Sequence, residues 1–321
     1  MVKKIMRAVS LVLFLLLLVT MAFFTGCKGQ IEVKGLEESI GVVDGEGNTV
    51  ELASPAEKIV VLAPSVLEII DALGAMEQVV EVDSWSVDNN EPLVEGFEGA
   101  GDVYGPNVER IAELNPDILI TLTGGPEDDY KKVEELGIEI YRVIDIKGIE
   151  GVYEEIANIS KIVGLENKGE ELNNELKKGV DEIYNQVKDL DNEQIPRVFY
   201  EVWNDPLMSA GVDTFINDLI EKSGGINIVA EDNLTGWPEY SVETLIDKNP
   251  DIIIAPMSLA ADPAVIMEDQ RLSSIDAVIN NKVYVVPDNP ICRPNQNLIK
   301  ALQMLSKAIH PEIFGEFEII E

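Results

Sequence analysis

Few side chains in this sequence could carry out covalent chemistry. The chain of 321 residues has one histidine, His310, and two cysteines, Cys27 and Cys292. A Ser-His-Asp triad, a Cys-His pair or a multi-histidine metal site cannot be assembled from these residues. The glycine motifs of nucleophile elbows, P-loops and dinucleotide sites do not occur either. These observations favour binding over catalysis, so we expect no enzymatic activity, no metal site and no intrinsic cofactor.

A repeated segment contains two glutamates that could make equivalent contacts. Residues 106–120 (PNVERIAELNPDILI) recur as residues 240–254 (YSVETLIDKNPDIII), and Glu109 corresponds to Glu243. Asn107 and Ser241 are good helix N-caps, and a carboxylate in the first turn gains roughly 0.3–1 kcal/mol from the helix dipole. That gain alone could account for both glutamates. The copies are too far apart for a solenoid and predict two similar α/β lobes.

Aromatic side chains near predicted strand ends are candidates for a ligand site. They include all three tryptophans of the chain and are Trp85, Tyr104, Trp203 and Trp237. Ligands of open α/β sheets bind at the carboxyl ends of the strands. Each aromatic side chain can bury on the order of 150–250 Å², which suits a large ring. Packing in a core is the ordinary alternative for a tryptophan.

The elements that position these residues follow from the hydrophobic pattern. VVDGEGNTVEL, residues 42–52, predicts a hairpin, and strands then alternate with amphipathic helices, which is typical of a parallel sheet. A long helix interrupts the alternation with one apolar stripe. The stripe consists of Leu172, Leu176, Val180, Ile183, Val187 and Leu190. The fold class is therefore α/β, with two lobes of parallel sheets joined by one long helix.

The N-terminus predicts export and attachment to a membrane. Lys3, Lys4 and Arg7 precede an apolar run, and FFTGC then places small residues before Cys27. This resembles a bacterial lipobox, although Phe24 stands where leucine is usual, and a plain membrane anchor is the alternative. Both place the rest of the chain outside the cytoplasm. With Cys27 acylated, Cys292 has no disulfide partner, and we expect it to be buried and inert.

Charge excludes one class of partner. The sequence has 24 basic and 59 acidic residues, for a formal net charge of -35. Such a surface repels phosphate backbones, so no nucleic-acid partner is expected.

The order of several segments resembles one family of transport proteins. These segments are KIVVLAPSVLEIIDALGA, NVERIAELNPDILI, GWPEYSVETLIDKNPDIII and RPNQNLIKAL. The chain is similar to substrate-binding lipoproteins of the iron-siderophore and cobalamin class of ABC importers. The resemblance implies a class III periplasmic-binding-protein fold, in which two Rossmann-like lobes hold the ligand between them. It also implies a monomer that delivers its ligand to a permease dimer with ATPase subunits, and that is not an enzyme.

The resemblance also implies roles for individual residues. Glu109 and Glu243 match the exposed glutamates of each lobe that dock onto arginines of the membrane subunits. Trp85 and Trp237 resemble aromatic positions of the cobalamin-binding members. Arg293 matches an arginine that reaches into the cleft, and a surface salt bridge is its alternative. The protein would lie at the outer face of the cytoplasmic membrane, or in a periplasm if the host has an outer membrane.

The ligand predicted from these residues is a corrinoid, most simply cobalamin. Siderophore sites usually add several Arg, Lys or Tyr side chains, whereas here Arg293 is the principal cation expected in the cleft. A ferric siderophore or haem is the alternative within the same class, and only a tyrosine could ligate haem iron. A surface scaffold lipoprotein and a lipid-anchored enzyme are more remote alternatives.

The sequence predicts five segments. They are a lipoprotein signal peptide (1–26), a tether with a hairpin (27–55), an N-terminal lobe (56–148), a linking helical segment (149–192) and a C-terminal lobe (193–321).

Overall fold

The computed structural model of the protein describes residues 39–89, 91–102 and 104–320. The predicted signal peptide and Cys27 lie outside the described residues. In the part of the chain that is described, no helix combines the length and the apolar character that spanning a membrane requires.

Strands and helices alternate along most of the chain. The strands are β1 (Ile40–Val43), β2 (Thr49–Leu52), β3 (Ile59–Val61), β4 (Val79–Val82), β5 (Gly101–Asp102), β6 (Gly105–Pro106), β7 (Ile118–Leu122), β8 (Glu139–Val143), β9 (Arg197–Asn204), β10 (Leu207–Ser209), β11 (Ile226–Asn227), β12 (Ile252–Pro256) and β13 (Val283–Val286). The helices are α1 (Pro64–Leu73), α2 (Ser84–Asp88), α3 (Val108–Leu114), α4 (Glu127–Glu135), α5 (Ile149–Ile162), α6 (Glu166–Val187), α7 (Phe215–Lys222), α8 (Val242–Lys248), α9 (Ala264–Met267), α10 (Asp276–Ile279), α11 (Asp288–Cys292), α12 (Leu298–Ile309) and α13 (Pro311–Phe314).

Each lobe is built on its own sheet. The N-terminal sheet has the order β4-β3-β7-β8 and is parallel throughout. The C-terminal sheet has the order β10-β9-β12-β13, with β11 also beside β9, and only β10 is antiparallel to its neighbour in the described residues. Strands such as β7 and β12 are almost entirely buried, as expected when helices cover both faces of a parallel sheet. The predicted α/β fold of two lobes is confirmed.

The predicted hairpin is also confirmed. β1 and β2 pair in antiparallel register around an Asp-Gly turn, and the Asp44 side chain accepts hydrogen bonds from the backbone amides of Glu46 and Asn48. An aspartate that bonds to the backbone two and four residues ahead stabilises such a turn.

The predicted linking segment, residues 149–192, contains two helices, and the second is the long helix that carries the apolar stripe. α5 ends at Ile162, and α6 begins at Glu166 after Gly164, whose φ of 71° favours glycine. α6 packs against α1 of the N-terminal lobe and against α7 and α12 of the C-terminal lobe. Its stripe is buried at Leu176, Val180, Ile183 and Val187. Leu190 lies beyond the end of this helix, so the predicted stripe is one turn too long.

The lobes share one continuous apolar core. The largest buried cluster includes Ile69 and Val152 of the N-terminal half, Leu176 on α6, and Leu219 and Leu302 of the C-terminal half. Opening the lobes widely would expose part of this core, at a cost of about 25 cal/mol per Å². The shared core therefore opposes large movements of one lobe relative to the other.

The two repeat copies fold alike. The side chain of Asn107 accepts a hydrogen bond from the Arg110 amide, and that of Ser241 accepts one from the Thr244 amide. Both helices end at an asparagine in the left-handed region, Asn115 with φ 45° and Asn249 with φ 43°. Each helix is therefore capped by a polar side chain at its N-terminus and ends at a left-handed asparagine.

The Asn-Pro-Asp turn of each copy anchors it to the first strand of its lobe. Asp117 accepts hydrogen bonds from the amides of Glu57 and Lys58, just before β3. Asp251 likewise accepts one from the amide of Arg197, the first residue of β9. The repetition in the sequence thus encodes the same helix, turn and strand junction in each lobe.

Candidate ligand cleft

Two adjoining cavities lie where the carboxyl ends of the two sheets face each other. Their volumes are about 410 and 250 Å³, and the larger lies within the usual range for small-molecule sites. Both are lined by Asp145, Trp237, Cys292 and Pro294. The larger one also contacts Thr123, which directly follows β7. This is the position expected for a ligand of an α/β sheet.

The smaller of these cavities has an apolar floor. Tyr200 and Val202 from β9 contact it, together with Phe215 and Ile216 from the start of α7. Tyr200 is fully buried, and burial raises the pKa of its hydroxyl well above the ordinary value. The phenol therefore stays protonated and contributes a flat, neutral surface.

Trp237 and Tyr104 face the cleft from different lobes. Trp237 lines both cavities and is 40% exposed, whereas Tyr104 lines the larger one and is 60% exposed. The loop that carries Trp237 is held by a 2.6 Å hydrogen bond from the Gly236 amide to the Asp213 carboxylate. Exposed aromatic side chains fixed in a cavity are available to a ligand and are not part of the core.

The other two tryptophans lie outside these cavities. Trp85, on α2, lies against Arg293, whose Cζ is 5.8 Å from the centre of the indole ring. Trp203 lies two residues after Glu201 on the face of β9 opposite to Tyr200 and Val202, because side chains alternate along a strand. Its ring nitrogen donates a 2.9 Å hydrogen bond to the carbonyl of Asp205. Trp237 and Tyr104 therefore line the same cavity, and Trp203 does not.

Arg293 reaches the cleft with its charge already paired. It lines the larger cavity and a third one of about 190 Å³. Its guanidinium bonds to Glu68 and to Glu91, each at 2.9 Å. Burial lowers the pKa of Arg293, but the two carboxylates outweigh burial and raise it. Among the described residues, Arg293 is the only basic side chain that lines these three cavities.

Cys292 differs from its expected environment. The sequence predicted a buried residue, but the side chain is exposed to the cleft, because α11 ends here beside both cavities. The Tyr200 hydroxyl lies 3.8 Å from its sulfur. Surrounding protein atoms raise the pKa of the thiol to about 11, so it is protonated at neutral pH. The expectation of burial was wrong.

Sequence reasoning missed several residues of the cleft. Asp145, Tyr200 and Cys292 line it, and none of them was predicted as a ligand contact. Asp145 follows β8 closely, so the rule that ligands bind at carboxyl strand ends could have identified it. Nothing in the local sequence distinguishes Tyr200 from a core residue, because it occurs inside a buried strand.

Glu109 and Glu243 occupy equivalent positions on the two lobes. Each is exposed in the first turn of a seven-residue helix. Ile111 on α3 and Leu245 on α8 are fully buried and fasten the helices to their sheets. A helix that leads into a parallel strand runs antiparallel to it, so both glutamates lie at the cleft edge of their lobe.

The described residues contain no group of three or more His, Cys, Asp or Glu side chains placed to hold a metal ion. Residues 59–290 match the family model described as "Periplasmic binding protein". The chain belongs to the periplasmic binding protein family. The family predicted from the sequence is thereby confirmed, and with it the class III fold.

Known members of the periplasmic binding protein family are similar to most of the chain. An uncharacterized ABC transporter substrate-binding lipoprotein of Bacillus subtilis is 29% identical over 86% of this chain and 87% of its own. A cobalamin-binding protein of Halobacterium salinarum is 25% identical over 83% of this chain and 73% of its own. The apo structure of a periplasmic heme-binding protein from Roseiflexus is 22% identical, with a TM-score of 0.70, and covers 79% of this chain and 98% of its own. The last comparison shows the fold alone.

Proposed function

We propose that this protein is the solute-binding component of an ABC importer and that it captures a corrinoid, most simply cobalamin, in the cleft. The similarity to a substrate-binding lipoprotein and to a cobalamin-binding protein supports this assignment. Glu109 and Glu243 would dock the loaded protein onto the two halves of a permease, since related surfaces suit a symmetric partner. Lipid on Cys27 would hold it at the outer face of the membrane.

The choice of ligand rests on one observation, the pairing of the Arg293 charge with two carboxylates. Both ends of its guanidinium are bonded to carboxylates, and the walls of the two cleft cavities are largely aromatic or apolar, with Asp145 as their shared charged residue. An anionic iron chelate would meet the carboxylates of Glu68 and Glu91 beside Arg293, the only basic side chain that the described residues place in the lining, and would lose affinity by repulsion. A corrin is bulky and largely uncharged, so stacking and apolar contact can supply most of its binding.

Haem or a ferric siderophore is the second candidate, and one observation favours it. The Tyr104 side chain is exposed at the larger cavity, where its phenol is accessible to an iron complex. A tyrosine can ligate haem iron.

Titration of the purified full-length protein in detergent distinguishes these ligands. Quenching of tryptophan fluorescence is measured with cyanocobalamin, haemin and a hydroxamate ferric siderophore. Saturable quenching at one cobalamin per chain, with much weaker binding of the others, is the expected result. Tight binding of the siderophore or haemin without cobalamin binding would refute the corrinoid assignment while leaving the importer role intact.

A further inference from the structure

A separate acidic groove lies beside the segment that crosses from β8 to α5. Its volume is about 640 Å³, larger than either cavity of the cleft. The hairpin residues 43–45 form one wall, the first two turns of α5 a second, and α7 a third. Only Ile144, Asp145 and Ile146 are shared with the cleft cavities.

Carboxylates dominate the lining of this acidic groove. Those in the lining are Asp44, Asp145, Glu150, Glu154, Glu155, Asp218 and Glu221. Lys147 is the only basic residue in the lining among the described residues, and its amine is 3.1 Å from the carboxylate of Asp213. The groove therefore has a negative potential that its own side chains do not neutralise.

Some of these carboxylates have structural partners and others have none. Asp44 accepts hydrogen bonds from its own turn, Asp218 accepts one from the Ile149 amide, and Glu221 accepts one from Asn217. Glu150 and Glu154 are exposed, and no hydrogen bond or ion pair joins the side chain of either to another described residue. Turn formation and capping therefore explain only part of the cluster.

The strongest indication of a ligand is the side chain of Glu155. It is only 8% exposed, and its Oε2 accepts a 3.1 Å hydrogen bond from the hydroxyl of Tyr141. Its Oε1 is buried and has no hydrogen-bond partner among the described residues. A buried oxygen of this kind costs about 1–3 kcal/mol unless a donor reaches it. Burial raises the pKa of Glu155 to about 7, so a cation beside it would favour the ionised form.

We propose that the acidic groove binds an organic polycation of the linear polyamine class. One protonated amine donates to Glu155, and a second lies between Glu150 and Glu154. Apolar side chains of Val43, Ile144 and Val212 in the same lining suit the methylene chain between the charges. A metal ion fits less well, because the described residues provide no chelating group of three.

Calorimetric titration of the full-length protein with spermidine tests this proposal. The negative net charge of the protein attracts any polycation nonspecifically. The variants must therefore distinguish binding in the groove from this general electrostatic attraction. Glu150→Gln with Glu154→Gln removes two charges at the groove. Glu170→Gln with Glu171→Gln removes two exposed charges from α6, outside the groove.

We expect one spermidine per chain, with affinity reduced about tenfold in the groove variant and unchanged in the α6 variant. Glu155→Gln, which can still accept a hydrogen bond from Tyr141, should also reduce affinity. Equal effects of the two double variants, or undiminished binding by both the groove variant and Glu155→Gln, would overturn the proposal. Because the groove lining differs from that of the cleft, cobalamin binding should be the same in all these variants. A failure of either proposal is therefore distinguishable from a failure of the other.

Discussion

Glu68 on α1 and Arg293 before α12 form a 2.9 Å ion pair across the two lobes. The other carboxylate oxygen of Glu68 accepts hydrogen bonds from Asn295 and Asn297, and its backbone carbonyl accepts one from Gln296. One glutamate therefore satisfies polar groups along the whole segment 293–297. These contacts join the lobes at the edge of the cleft.

Glu68→Gln should destabilise the protein. Gln places an amide nitrogen against the donors of Arg293, Asn295 or Asn297, and leaving a part-buried donor unpaired costs about 1–3 kcal/mol. Urea denaturation followed by circular dichroism gives the free energy of unfolding. Asp71→Asn is the matched control, because Asp71 is exposed on the same helix. An equally small effect of both substitutions would show that the ion pair contributes little to joining the lobes.

Trp237→Ala should weaken cobalamin binding by about thirtyfold, because truncation of a central aromatic contact commonly costs at least about 2 kcal/mol. The melting temperature should change little, since Trp237 is exposed in the cleft. Trp203→Ala is the control, as that residue lies outside the cavities. Ligand titration and thermal melting measure the two effects. If Trp203→Ala reduces affinity as much as Trp237→Ala, the assigned cavity is not the ligand site.

Glu109→Gln combined with Glu243→Gln should abolish most uptake and leave ligand affinity unchanged. Both side chains are exposed outside the cavities, and loss of interfacial charge mainly slows association with a partner. Uptake of labelled ligand by cells that express the variant is the measurement. The control is Glu113→Gln with Asp247→Asn, which removes charges from the opposite ends of the same helices. Normal uptake by the first variant would leave dipole stabilisation as the role of the glutamates.

Cys292 should react slowly with a thiol reagent at pH 7 and about tenfold faster at pH 8. Its pKa of about 11 lies above both values, so the reactive thiolate increases tenfold for each pH unit in this range. Bound ligand should protect the thiol, because Cys292 lines both cleft cavities. Modification by a chromogenic disulfide is followed with and without cobalamin, and Cys292→Ser gives the background. Reaction at the same rate in the presence of saturating ligand would place the ligand elsewhere.

Glu201→Gln should stabilise the protein above pH 7. Burial and the nearby charge of Asp269 raise the pKa of Glu201 from 4.5 to about 7, although Arg271 opposes the shift. The folded state therefore holds a proton that the unfolded state releases, and stability decreases as pH rises from about 4.5 to about 7. The penalty above that range is on the order of 3 kcal/mol.

Urea denaturation of this variant at pH 5 and pH 8 checks the prediction. The difference in the free energy of unfolding between the two pH values should be smaller in Glu201→Gln than in the wild type. Glu239→Gln, at an exposed position of the same lobe, should leave the difference unchanged. An unaltered pH dependence in Glu201→Gln would mean that Glu201 is ionised in the folded protein throughout this range.

Local patterns were sufficient to predict the repeated units. Asn107 and Ser241 form caps with groups three residues away, and Asn115 and Asn249 end the same helices. These contacts depend on neighbours in the chain, so the sequence contains all the information they require. The apolar runs of the strands are equally local, and for this reason the alternation of strand and helix and the two-lobe fold could be predicted.

Tertiary structure decided which predicted residues meet and what charge the cleft presents. Glu68 is 225 positions from Arg293, and no periodicity or motif indicates that the two side chains form an ion pair. Trp203 was predicted to follow its strand but lies within β9, where strand alternation turns it away from the cavity that Tyr200 and Val202 line. Pairings of this kind depend on how whole sheets and helices pack in three dimensions, because a side chain contacts whatever distant segment the core brings beside it.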